Sequence, residues 1–385
     1  MGTISSIDNP CKYIKCGSKK KKSTIKKNKE IPSFPKSSIN TLANQENTFP
    51  FSKNEPEKKQ KNKNKFNRKV LKNIENENTI KNEIFEFSKN NHTKFLVSIR
   101  QGPMEKLRWI FWKNLYNDDE ALFHAIYENL KTMMISEETY NNIAKDLDRT
   151  FPGEIFFKSS ENKLKLYNLL KAISLYYSNI GYCQGMNMFA GFFLMMSEGN
   201  EVDSFKFFIE ISNDPNFFLV HLFEENLSFL KFLIFLFESK ISHHLPYLYL
   251  FLQKIDLPYD AWLVKWFLSI FLNGFTFSQS VRFWDYILST DIYSLITLAV
   301  AILKTNYSEF EKQKDNWEKI DFYHFFENIQ RNIDVEKCLN EADKMRIGMK
   351  ERNSKLTEFL KDKENERKSS CLNYFFQLMR EGKKV

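Results

Sequence analysis

The chain has 385 residues, a formal net charge of +9, and 42% hydrophobic and 16% aromatic residues. That is enough apolar material for one large core or two ordinary ones, which excludes a wholly disordered protein. Five cysteines are too few for a disulfide scaffold, and Cys11 and Cys16 have no second pair at zinc-ligand spacing nearby, so no metal site is expected and a reducing compartment fits.

The charge is uneven along the chain. Residues 1–90 carry 21 Lys and Arg against 9 Asp and Glu, whereas the rest carries 36 against 39. All six tryptophans follow residue 100 and 32 of the 38 phenylalanines follow residue 90, so composition sets a boundary near Asn90. The chain divides into an anchor-like segment 1–30, a linker 31–95, a folded region 96–330 and a charged helical extension 331–385.

The start, Met1 to Ser6, lacks the apolar core of a signal peptide. Met1-Gly2-x-x-x-Ser6 instead matches the pattern for N-myristoylation, in which loss of Met1 frees the Gly2 amine for acylation. One myristoyl chain binds membranes with an association constant of only about 10⁴ M⁻¹ and needs a second signal. Cys11 and Cys16 are candidates for palmitoylation. Lys12, Lys15, Lys19 to Lys22, Lys26, Lys27 and Lys29 form a polybasic run, with a value of about 1 kcal/mol per residue beside an anionic leaflet. The expectation is a cytoplasmic protein held peripherally on an anionic membrane surface. A solvated lysine-rich tail and a nuclear localisation signal at Lys19 to Lys22 are the alternatives. From Cys16 to Asn91, Lys, Asn, Ser and Glu dominate, a composition that cannot bury enough apolar surface to offset the entropy of ordering, so a disordered tether is expected. Its aromatic residues are sparse and no nucleic-acid-binding module follows, so nucleic acid is not expected as a partner.

Beyond residue 100 apolar residues recur at intervals of three and four. Leu107, Phe111 and Leu115 form one stripe beside Arg108 and Trp112; Leu166, Leu170, Ile173 and Tyr177 form another. Leu222, Phe223, Leu227, Leu230 and Leu233 predict one long helix, and Asp334 to Lys363 predicts a further one with Leu339, Met345, Met349 and Leu356 too sparse for a deep core. Leu372 to Met379 carries a last aromatic cluster. Breaks are predicted at Gly102-Pro103, Phe151-Pro152-Gly153, Gly181, Gly199-Asn200, Asp214-Pro215, Leu245-Pro246, Leu257-Pro258 and Gly274. Period-two alternation never persists, so the domain is all-α. The apolar runs Met188 to Met196 and Leu295 to Leu303 are too short to cross a bilayer.

Few routes to catalysis are visible. Gly181 to Gly185 lacks the Lys-Ser/Thr ending of a phosphate loop, and His243-His244 read as surface or packing residues. Two segments hold more. In Ile143-x-x-Asp146-x-x-Arg149 the three residues fall on one broad helical side, and Pro152 disfavours helix at Phe151, so Arg149 lies near a helix end with Asp146 as its i, i+3 partner. In Tyr182-Cys183-Gln184-Gly185-Met186-Asn187, Gly181 is a plausible left-handed cap and Gln184 lies close to the start of the next helix. Alone, the first segment reads as an Asp-Arg surface pair and the second as a Gly-bounded helix junction.

Together the two segments resemble the signature motifs of the TBC domain, the catalytic domain of GTPase-activating proteins for Rab small GTPases. Gln184-Gly185-Met186-Asn187 extends the second motif; Gly102-Pro103 with Leu107-Arg108-x-x-x-Trp112-x-x-Leu115, Trp266-Phe267-Leu268 and Arg282-x-Trp284-Asp285 resemble other landmarks in order and spacing. The Ile common between that Gly and Pro is missing. The resemblance covers roughly residues 98–330 and implies a multi-helix fold of two helical halves. It implies that Arg149 enters the nucleotide site of a GTP-bound Rab as an arginine finger and that Gln184 orients the attacking water. Ile143, Asp146, Tyr182, Gly185 and Asn187 would position these two residues. Such fingers contribute about 10³ to 10⁵ in rate. The chain would then be an activator acting in trans in vesicle trafficking, with no cofactor of its own, GTP and Mg²⁺ arriving with the partner. A catalytically weak Rab-binding adaptor on a membrane is the alternative. Trp112, Trp262, Trp266 and Trp284 read as packing residues.

Overall fold

A computed structural model describes residues 77–362 apart from 117–118, 225–226 and 314–316, and the described residues form helices and no strand. In chain order these are α1 (Glu77–Asn90), α2 (His92–Arg100), α3 (Glu105–Lys113), α4 (Glu120–Thr132), α5 (Glu137–Leu147), α6 (Ser160–Tyr176), α7 (Met186–Met196), α8 (Glu201–Asn213) and α9 (Ser228–His244). They continue with α10 (Pro246–Lys254), α11 (Leu263–Ser269), α12 (Phe277–Leu288), α13 (Ser294–Thr305), α14 (Tyr307–Gln313), α15 (Lys319–Asn332), α16 (Val335–Asp343) and α17 (Met349–Asp362). Short 3₁₀ turns lie at Ile155–Lys158, Leu219–Phe223 and Tyr259–Ala261.

Short polar residues ahead of the apolar runs set where the helices begin. Ser136 caps α5, Ser159 α6 and Asn200 α8, each accepting a backbone N–H three residues on, and Thr276 with Gln279 closes a reciprocal box at α12. Each cap contributes about 1 kcal/mol. Pro246 occupies the first turn of α10, where a missing N–H costs nothing. The predicted breaks fall between elements, Leu245-Pro246 at the start of α10.

Two aromatic nuclei fill the interior, and α12 joins them. In the first, Trp284 packs 5.3 Å from both Phe192 and Phe193 of α7, with Trp112 of α3 alongside. In the second, Trp266 stacks 4.4 Å from Phe326, and Trp262 meets Phe237 and Phe322. Phe283, next to Trp284, turns to the second nucleus and lies 5.3 Å from Phe271. All four tryptophans assigned to packing are fully buried. A large side chain of this kind costs about 3–5 kcal/mol when truncated to Ala.

Asp285 ties the first nucleus together. Trp112 Nε1 donates to its Oδ1 at 2.9 Å, Arg108 Nε lies 3.2 Å from its Oδ2, and Arg282 Nη1 lies at 3.8 Å. The quoted landmarks of α3 and α12 thus meet at one carboxylate. Gly102 closes the same corner with φ +79°; a Cβ there would sit 3.5 Å from Asp285 Oδ2 and Arg282 Nε.

Three expectations need correction. The segment 31–95 is not linker throughout, because α1 is a formed helix whose Ile80 and Ile84 are buried and whose Phe87 lies 5.8 Å from Phe95. Its apolar residues recur at i, i+4 and i+7 within a stretch whose average composition is polar. The predicted helix 334–363 is two helices, broken at residues 344–348, and it is docked: Leu339, Met345, Leu356 and Phe359 are buried, with only Met349 of the four residues judged too sparse left exposed. Its charges face outward and pair with the domain, Arg282 forking onto Glu336 at 2.6 and 3.2 Å and Lys304 reaching Glu341 at 2.6 Å. The run from Leu222 to Leu233 is also broken, since Leu227 takes φ +47° between the 3₁₀ turn at Leu219–Phe223 and α9. Gly2, Cys11, Cys16, the polybasic run and Leu372 to Met379 lie outside the described residues.

Candidate functional site

The two motif segments meet where the end of α5 approaches the start of α7. Ile143 is fully buried and holds α5 on the core. One turn on, Asp146 is 2% exposed, a position where a carboxylate persists only with partners. Tyr182 supplies one, its hydroxyl donating to Asp146 Oδ2 at 2.5 Å. Arg149 supplies the other, its Nη2 pairing with Oδ1. Burial beside this carboxylate holds the Tyr182 phenol well above its ordinary range, so it remains a donor.

The helix stops at Leu147 and Phe151 takes φ +44°, turning the chain ahead of Pro152. Arg149 therefore sits past the helical turns with its side chain half exposed. The opposite segment is built by two glycines. Gly181 has φ +72° and its N–H reaches Tyr177 O at 2.7 Å, ending the turn after α6 as expected. Gly185 has φ +108° and directly precedes α7, where a Cβ would lie 3.5 Å from the Phe223 ring. Between them Tyr182 and Cys183 point inward, Cys183 Sγ toward Phe223 O at 3.6 Å, and Gln184 is half-buried on the turn.

Asn187 is buried in the first turn of α7; its Oδ1 accepts from Gly185 N at 3.1 Å and its Nδ2 donates to Thr150 Oγ1 at 2.8 Å. Thr150 in turn donates to Asp146 O at 2.6 Å. Hydrogen bonds and one ion pair thus link Asp146, Arg149, Tyr182, Gly185 and Asn187, with Gln184 in the turn between Tyr182 and Gly185 and Ile143 one turn before Asp146. Two others were not anticipated, Thr150 and Gly191. A Cβ on Gly191 would fall 2.7 Å from the Thr150 methyl group, so the two segments pack in contact at this point.

One segment carries the half-exposed guanidinium of Arg149 and the other the carboxamide of Gln184. A cleft of about 130 Å³ lined by Lys113, Tyr116, Asp203 and Lys206 contains none of these residues. Among the described residues no group of three or more His, Cys, Asp or Glu side chains could hold a metal ion, and no helix is long and apolar enough to cross a membrane.

These features define an all-helical domain with a paired Arg and Gln motif, and known proteins share both the sequence and the fold. The Rab-GTPase-TBC domain family matches residues 105–311, and the chain belongs to that family. It is 27% identical over 213 residues to the human ecotropic viral integration site 5 protein homolog, covering 55% of this chain and 26% of that protein. It is 26% identical over 216 residues to the Rab GTPase-activating protein eat-17 of Caenorhabditis elegans, covering 56% and 23%. The chain thus spans about a quarter of the length of these curated relatives. Among solved structures, the Chlamydomonas flagellar RabGAP TBC domain superposes with a TM-score of 0.55 at 20% identity, covering 72% of this chain and 93% of that one. The Ypt/Rab-GAP domain of Gyp1p does so with a TM-score of 0.55 at 16% identity, covering 66% and 92%. At these identities the superpositions establish the fold.

Proposed function

We propose that this chain accelerates GTP hydrolysis by a GTP-bound Rab-family small GTPase, with Arg149 and Gln184 acting in trans at the partner's nucleotide. The observation that carries this reading is the buried Asp146 carboxylate, which holds Arg149 with one oxygen and Tyr182, two residues before Gln184, with the other. One buried anchor would therefore set both side chains relative to each other. The Arg149 side chain is half exposed while Asp146 is buried, so water already reaches the guanidinium and screens its side of the pair. The guanidinium can leave Asp146 for a phosphoryl group at small cost, and Asp146 keeps the Tyr182 hydroxyl meanwhile.

At the partner's phosphates the planar fork of Arg149 would neutralise charge growing on the transferred group. The Gln184 carboxamide, a donor and an acceptor on one stiff plane, would hold the attacking water in line. GTP and Mg²⁺ come with the GTPase. The N-terminal tail, through Gly2 acylation, Cys11 or Cys16 palmitoylation and the polybasic run, would hold the chain on the membrane where its partner resides and raise their effective concentration.

Phosphate release by a panel of Rab GTPases, with the full chain added, tests the reading. One or more members should be accelerated, and Arg149→Ala and Gln184→Ala should each abolish most of the gain. Acceleration of no member, or acceleration intact in both variants, overturns it; binding without acceleration favours the adaptor. An unchanged membrane fraction for Gly2→Ala in cells would remove the lipid anchor.

A further inference from the structure

We infer that Thr150 is a positioning residue that fixes the spacing between Arg149 and Gln184, a role that rests on the GTPase-activating function proposed above. The side chain is 1% exposed, and its single hydroxyl proton is committed to the Asp146 carbonyl at 2.6 Å. Its lone pair must then take the Asn187 amide at 2.8 Å. Asn187 Oδ1 is thereby left as acceptor for Gly185 N–H at 3.1 Å. All three donors point the same way, from Gly185 through Asn187 and Thr150 to the backbone of Asp146. Asp146 also receives the Tyr182 hydroxyl on its carboxylate.

Gln184 is consequently tied to Asp146 on both sides, through Tyr182 two residues before it and through Gly185 directly after it. The Tyr182 bond alone would leave Gln184 free to pivot about one point. The Thr150 relay supplies the second point, and Thr150 is also the chain neighbour of Arg149. The contact is tight on its other face, where a Cβ on Gly191 of α7 would lie 2.7 Å from the Thr150 methyl. The hydroxyl thus satisfies one of the carbonyls left unpaired at the end of α5 and carries that position to the glutamine turn.

The consequence is separable from packing. Thr150→Val keeps the shape and removes the relay; Thr150→Ser keeps the relay and removes the methyl that meets Gly191. With a Rab GTPase that the wild-type chain accelerates, Thr150→Val should lower kcat by about tenfold or more while leaving KM within about twofold, since misplacing a reacting group by 1 Å can cost about 10² in rate. Thr150→Ser should restore most of kcat. Asn187→Ala, which cuts the relay one step later, should match Thr150→Val, and the double variant should be no worse than either; Asn187→Ala alone carries the test if Thr150→Val does not fold. Unchanged kcat in Thr150→Val and Asn187→Ala, equal loss in Thr150→Val and Thr150→Ser, or a loss confined to KM overturns the proposal alone. A wild-type chain inactive on every Rab overturns the proposed function and this inference with it.

Discussion

Asp146 and Asp285 are two buried carboxylates built to one plan and put to opposite ends. Each receives an aromatic donor, Tyr182 Oη at 2.5 Å on Asp146 and Trp112 Nε1 at 2.9 Å on Asp285. Each also faces arginine. Around Asp285 both arginines are 17% exposed, and the carboxylate itself is fully buried beside the first aromatic nucleus. Around Asp146 the arginine is 50% exposed. Desolvating an arginine together with its carboxylate makes a cross-link, whereas leaving its head half in water makes a group that can be handed to another anion. The same chemistry yields a scaffold joint in one place and a candidate finger in the other because of one variable, the exposure of the cation.

Substituting each partner breaks the comparison from opposite sides. Arg149→Ala should remove about 4–7 kcal/mol of transition-state stabilisation, the value of an arginine finger, yet, because the guanidinium is half exposed and Asp146 keeps the Tyr182 hydroxyl, lower unfolding free energy by less than Asp285→Ala does. Asp285→Ala should do the reverse. It strands Arg108 and the Trp112 N–H in the interior, so urea unfolding should report a loss of about 3–5 kcal/mol, with activity retained wherever the protein is still folded. Equal stability losses in the two variants would end the distinction.

Gly191→Ala is a smaller test on the Asp146 side. The added methyl meets the Thr150 methyl, Phe151 and Phe157 at 2.7, 3.4 and 3.4 Å, so α7 must shift from the Arg149 segment. Overpacking of this size costs about 1–3 kcal/mol. The melting temperature should fall, and kcat should fall with it even at temperatures where the variant is fully folded. Gly153→Ala, with nothing within 4 Å of its Cβ, is the control.

The motif residues were legible because their chemistry is conspicuous: an Asp three before an Arg ahead of a proline, and a Gln between glycines. Thr150 and Gly191 were not, since neither titrates and both read as ordinary members of their segments. A signal existed for Gly191, a lone glycine inside the apolar run Met188 to Met196, which marks close approach of another backbone. The helices α1, α16 and α17 were underestimated for a related reason. Composition averages over a window, while burial needs only residues such as Ile80 and Ile84 one turn apart with charges on the remaining faces. The break between Phe223 and Ser228 could not be read, because leucines at Leu222, Leu227 and Leu230 keep the apolar spacing although Leu227 adopts a positive φ.

A pH titration tests Asp285 without removing its side-chain volume. Burial pushes the Asp285 carboxyl up to about 7 against the opposing pull of Arg108, Arg282 and the Trp112 N–H. Its folded pKa thus lies above its ordinary unfolded value of 3.8, and the folded state binds more protons than the unfolded one between those two values. Stability from this group is therefore fully present below about pH 4 and is lost as pH rises through about 7, with a slope of at most about 1.4 kcal/mol per pH unit. Asp285→Asn, which cannot titrate, should remove that slope, so the wild-type minus variant difference in unfolding free energy should decline from pH 5 to pH 7 and flatten by pH 8. A difference that rises over this range would mean that the two guanidiniums outweigh burial and that Asp285 is held as a carboxylate throughout. The exposure of the arginines would then no longer explain why one aspartate builds the core and the other a surface.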